Sequence, residues 1–167
     1  FPSPFIAYRT VVADSDSVCP ALVADRHLSR YTQVYAYESD DAAIPANIWP
    51  SYLLDPTEPN GAYHISANTL LFMSSQVAAA SPDQAALVDE FTNQTVGYVR
   101  QGDPTAPGTP VWTPFTRHGQ LVMTLAPAGD SALTPGSTIE MQHHCGFWDA
   151  VTHTSYPGHA SRRHRHH

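Results

Sequence analysis

Fifteen prolines and nine glycines are scattered through 167 residues, and they cut the chain into short pieces. Proline removes a backbone donor and fixes φ, so each one inside a helix or a central strand is a local prohibition. Few long elements survive this punctuation. The length would allow one domain with a real core, yet so loop-rich a sequence reads better as one end of a larger domain than as a complete one.

The pieces that survive can be read one at a time. Ala7–Asp14 (AYRTVVAD) carries β-branched residues and reads as strand on local propensity. Pro20 stands well at the first turn of a helix, where its missing N–H is not needed. Residues 21–31 then read as an amphipathic helix with Leu22, Val23 and Leu28 on the side to be buried. Residues 33–37 (QVYAY) make a short strand that ends where Glu38, Asp40 and Asp41 turn the chain polar. A proline-rich loop covers residues 45–60, a length that usually signals function or disorder. Residues 82–100 form the longest helix, capped by Ser81, opened by Pro82 and Asp83, and stopped at Gln101-Gly102-Asp103-Pro104. Residues 121–125 and 139–142 read as strands, and residues 145–151 as one or two helical turns. The sequence has no internal repeat.

Charge excludes some functions. There is no lysine, and three of the eight arginines lie in the last six positions (Arg162, Arg163, Arg165). Fifteen acids therefore face five arginines over residues 1–160, a surface that repels phosphate backbones and argues against nucleic-acid binding. No apolar run approaches the roughly 18–20 residues that a membrane span needs. Phe1-Pro2-Ser3-Pro4 shows neither the basic segment nor the apolar core of a leader, so a secreted form would start after one. Cys19 and Cys145 stand 126 positions apart, a pair compatible with either a disulfide or two free thiols.

Several separated pieces occur in one order across residues 7–150. They are DSDSVCP at 14–20, QVYAYE at 33–38, Trp49-Pro50, Gly61-Ala62-Tyr63-His64 with Phe72 eight residues on, YVRQGDP at 98–104, Trp112-Thr113-Pro114-Phe115, and Cys145-Gly146-Phe147-Trp148. Together they resemble the carboxyl-terminal third of the type-B carboxylesterase, lipase and cholinesterase-like family. The resemblance implies an α/β fold, the C-terminal portion of an α/β-hydrolase with its last sheet strands and helices, incomplete alone. It makes residues 1–151 the end of that domain and residues 152–167 a His/Arg-rich tail with little to bury. Residues before Asp14 become helical on the same ground, against their strand propensity.

The resemblance also implies a role for His64 as the general base of a serine ester hydrolase. In that chemistry a serine attacks the ester carbonyl while a histidine takes its proton, and an acid holds the ring. Chain order in the fold is nucleophile, acid, then histidine. No G-x-S-x-G occurs in this sequence, so nucleophile and acid would lie in an N-terminal remainder, on the same or a separate chain. Asp14, Glu38, Asp40 and Asp41 do not align with the family's acid. Trp49, Tyr63 and Phe72 become candidates for lining a pocket for a small ester, with core packing as the commoner use of such rings. The family often has a small residue and then an acid after the histidine; Ile65 and Ala67 stand there instead. A loop histidine without chemistry is the alternative, and with it a non-catalytic relative acting as a binding module.

In many members of the family the two matching cysteines are bridged, which implies a Cys19–Cys145 disulfide and a secreted or extracellular location. Asn93-Gln94-Thr95 fits the N-glycosylation rule, although it falls in a predicted helix. No cofactor is implied and no metal site is expected. His143 and His144, if extended, would point apart and could not share a metal; His153, His159, His164, His166 and His167 form a tract of loose metal-binding character.

Overall fold

The computed structural model describes residues 3–46, 48, 50 and 60–152. Trp49, most of the proline-rich loop and the tail from His153 with its five histidines lie outside them.

The described chain is α/β. Ser3 caps the first helix, α1 (Pro4–Ala13), its hydroxyl accepting from the Ile6 N–H at 3.2 Å, with Pro4 in the first turn. The cap overrides the β-branched propensity of Val11 and Val12, both of which face solvent. A π-helical turn, Asp14–Val18, follows without a break and leads into α2 (Cys19–Leu28). Pro20 stands in the first turn of α2, as expected, although the helical run is continuous through it. The wider turn just before it answers the lost donor and the clash of its ring with the preceding turn. Leu22 is buried as expected, Val23 is half-buried, and Leu28 is exposed, because the helix ends there.

β1 (Ala36–Ser39) begins later than the sequence reading placed it and contains Glu38; Val34 makes only an isolated antiparallel bridge to Phe115. Two short helices, α3 (Ser66–Phe72) and α4 (Ser74–Ala78), precede the long α5 (Pro82–Gln101). The α5 ends match their sequence signals: the Ser81 hydroxyl accepts from the Gln84 N–H at 3.1 Å, and Gly102 closes the helix at φ 77°, a left-handed conformation that suits glycine. β2 (Leu121–Leu125) pairs parallel with β1, and β3 (Ala132–Pro135) pairs antiparallel with β2. The sheet order β1-β2-β3 leaves β1 at an edge, with no described strand on its other side.

The stretch 139–142 is helical, not extended: it ends α6 (Gly136–Gln142), and α7 (Cys145–Thr152) follows. Ile139 is buried there in the cluster around the cysteines, and Glu140 pairs with Arg26 of α2 at 2.5 Å, contacts that only a helix at this place supplies.

Alternation along the strands divides the core in two. Met123 and Leu125 meet Leu70, Val77, Leu87, Val88, Phe91 and Trp112 from α3, α4, α5 and the following loop. Ala36 and Val122 meet Cys19, Leu22, Phe115, Ile139 and Cys145 on the opposite face. A parallel pair with helices over both faces is the arrangement that buries such strands. Cys19 and Cys145 are joined in a disulfide, with Cα atoms 5.4 Å apart, tying α2 to α7. Among the described residues no helix is long and apolar enough to cross a membrane.

Candidate functional site

His64 is held from both sides by buried neighbours while its own ring faces outward. Tyr63 before it is 7% exposed, and its hydroxyl donates to the Pro45 carbonyl at 3.0 Å. After it, the Ser66 N–H donates to the Tyr63 carbonyl at 2.8 Å and turns the chain into α3, whose Ser66, Ala67, Thr69 and Leu70 are all buried. The Thr69 hydroxyl donates back to the Ile65 carbonyl at 2.9 Å. This single turn therefore sets the position of His64 through the core, and the ring is left at the surface. Ala67 sits inside the apolar cluster, so an acid at that position would be buried among aliphatic groups.

The ring of His64 meets the π turn. Its Nδ1 lies 3.5 Å from Ser17 Oγ. Among the described residues no carboxylate pairs with it. Of Asp14, Glu38, Asp40 and Asp41, three are occupied elsewhere. Asp41, fully buried, accepts from the Ala43 N–H at 2.9 Å and from the Gln84 side-chain amide at 3.0 Å. Burial, with the Glu38 carboxylate beside it, pushes Asp40 above the usual carboxylate range. Asp14 and Glu38 are both engaged by another histidine.

That histidine is His143, and the sequence reading missed it. It lies not in a strand but in the turn between α6 and α7, where His144 takes a left-handed φ of 52°. His143 Nδ1 is 2.7 Å from Asp14 Oδ1, and Nε2 is 2.7 Å from Glu38 Oε1. Hydrogen bonding to Glu38 raises its pKa, burial opposes, and Asp14 adds to the rise; the result is about 9. At neutral pH the ring is therefore an imidazolium donating from both nitrogens. His144 Nδ1 stands 3.8 Å from the other Asp14 oxygen. The triad joins the π turn, β1 and the α6–α7 turn. A signal for it existed in the two cysteines: once Cys19 and Cys145 are bridged, residues a few positions before each must be neighbours. Among the described residues no group of three or more His, Cys, Asp or Glu side chains is placed to hold a metal ion.

The remaining sequence candidates are dispersed. Tyr63 points into the core, and Phe72, at the end of α3, is 80% exposed. Trp49 lies outside the described residues. Asn93 is exposed on α5.

No protein-family model matches the chain, and no curated protein sequence does. Solved structures do. An esterase from the anaerobe Clostridium hathewayi, described as able to hydrolyze aliphatic aromatic polyesters, superposes with a TM-score of 0.61 at 16% identity, over 85% of this chain and 29% of that one. A PNB esterase superposes with a TM-score of 0.60 at 15% identity, over 80% of this chain and 26% of that one. The chain is similar in fold to part of each, and it spans less than a third of their length.

Proposed function

We propose that this chain is the C-terminal segment of a serine carboxylic-ester hydrolase and supplies His64 as the general base. The nucleophilic serine, the acid that holds the ring and the oxyanion donors belong to an N-terminal remainder, and the substrate is a small ester. The observation that carries this reading is the fold: it overlaps esterases over most of its own length and under a third of theirs. Two features support it. β1 stands at a sheet edge with no described strand beside it, where further strands of a larger sheet would pair. Tyr37 on that strand is still 47% exposed, although its ring packs on Phe91 and Trp112. In this reading Trp49 and Phe72 come to line the ester pocket, Phe72 only once the remainder covers it, while Tyr63 holds the turn of the histidine from the core.

The disulfide supports secretion or another oxidising location. Exposure of Asn93 would admit a glycan there.

A second reading has one observation in its favour: His64 has no carboxylate partner among the described residues. On that reading the chain is a non-catalytic relative that binds a partner or small ligand. The two are separated by ester turnover. Loss of a nucleophilic serine typically costs on the order of a millionfold, so the 167-residue chain alone should not hydrolyse nitrophenyl esters above background. The polypeptide complete with its upstream part should, and an organophosphate or His64→Gln should abolish the activity. Turnover by the isolated chain that an organophosphate blocks, or undiminished activity of His64→Gln in the complete polypeptide, would refute the assignment.

A further inference from the structure

The π turn is a costly and specific feature, and its side chains point two ways. It interrupts an otherwise continuous helix from Pro4 to Leu28, with the Cys19 N–H reaching back five residues to the Asp14 carbonyl. Such turns are rare inside helices and recur at functional sites. Both ends of this one are anchored. Asp14 is 3% exposed and accepts from His143, which Glu38 on β1 holds from the other side. Cys19, the residue that closes the turn, is bonded to Cys145. Ser17 lies between these anchors, and its Oγ is the group that meets Nδ1 of His64.

A neutral imidazole has one N–H and one lone pair, and the hydrogen bond made by one nitrogen decides which the other carries. A base that takes a proton at Nε2 needs its hydrogen on Nδ1. We propose that Ser17 is a positioning residue for His64: its Oγ accepts from Nδ1–H, which keeps Nε2 bare, and the doubly anchored π turn fixes the hydroxyl at that edge of the ring. The inference rests on His64 being the base. A hydroxyl donates as well as accepts, so Ser17 can pass a hydrogen bond onward to an acid supplied by the remainder on the same edge. The 3.5 Å separation is long, as such contacts often are before substrate tightens them.

The test uses the complete polypeptide with 15N-labelled histidine, the His64 signals being assigned by their loss in His64→Gln. The parent should give Nδ1 as the protonated and Nε2 as the bare nitrogen of the neutral ring. Ser17→Ala should shift the population toward the opposite tautomer, and Ser17→Thr, which keeps the oxygen, should restore it. His143→Gln leaves Ser17 in place but loosens one anchor, so it should give an intermediate mixture. In ester turnover Ser17→Ala should lower kcat by roughly 10- to 100-fold with KM little changed. An unaltered tautomer in Ser17→Ala, or a threonine that fails to restore it, overturns the proposal. Activity that survives His64→Gln would instead remove the base assignment, while the tautomer measurement still decides what Ser17 does.

Discussion

Replacing His143 with glutamine tests a side chain held between two carboxylates. Its pKa rises from an ordinary 6.5 to about 9, and each tenfold gain in proton affinity is about 1.4 kcal/mol. The full rise corresponds to about 3 kcal/mol; the ring is 24% exposed, and solvent screening leaves about 2 kcal/mol. Because the folded value lies above the unfolded one, this contribution is fully present below about pH 6.5 and is lost as pH rises through about 9. Glutamine can still donate to one carboxylate, much as neutral histidine does, but it carries no charge. Asp14, with its side chain 4% exposed, would then face Glu38 with, among the described residues, only His144 at 3.8 Å as a candidate cation, and Asp40 nearby adds to the negative field. Urea unfolding at pH 6 and pH 9.5, with the disulfide intact, measures the consequence as a shift in midpoint at constant slope. The gap between parent and His143→Gln should be about 2 kcal/mol at pH 6 and close to zero at pH 9.5. A gap equal at both values, or wider at the higher one, would mean that the folded state does not hold His143 as a cation.

Three further outcomes follow from the structure. Alkylation without reductant under denaturing conditions should leave the mass unchanged, and reduction should destabilise the fold by at most about 5 kcal/mol for a closed loop of this length; two labels without reductant would eliminate the bond. Leu70→Ala, at a fully buried site in the helix that follows His64, should cost about 2–5 kcal/mol in denaturant unfolding, and a cost under 1 kcal/mol would show that α3 does not pack as described. Ser81→Ala should lower stability by about 1 kcal/mol through the lost Gln84 N–H bond, whereas Ser81→Asp should retain most of it.

Local signals worked where a short stretch carries its own physics. The Ser81-Pro82 start and Gly102 stop of α5 are backbone chemistry, satisfied by neighbours in sequence, and the helix runs between them. The sequence reading also places β2 correctly, although its ladder partners are β1 and β3. Failures came where distant residues decide. Residues 139–142 have acceptable strand propensity, but Ile139 finds its burial beside the disulfide, and Arg26 reaches Glu140, only when that stretch is helical. Leu28 fits an apolar stripe that the end of α2 leaves in solvent.

The candidate site divides in the same way. The resemblance to type-B carboxylesterases singles out His64, Cys19 and Cys145, because a resemblance is carried by motif residues and their order along one chain. The company each keeps belongs to the tertiary structure. Ser17 is 47 positions from His64, and His143 is 129 from Asp14 and 105 from Glu38. No periodicity links such residues. Folding brings three remote segments into one small region, and there two carboxylates, against the opposing effect of burial, turn an unremarkable histidine into a fixed cation.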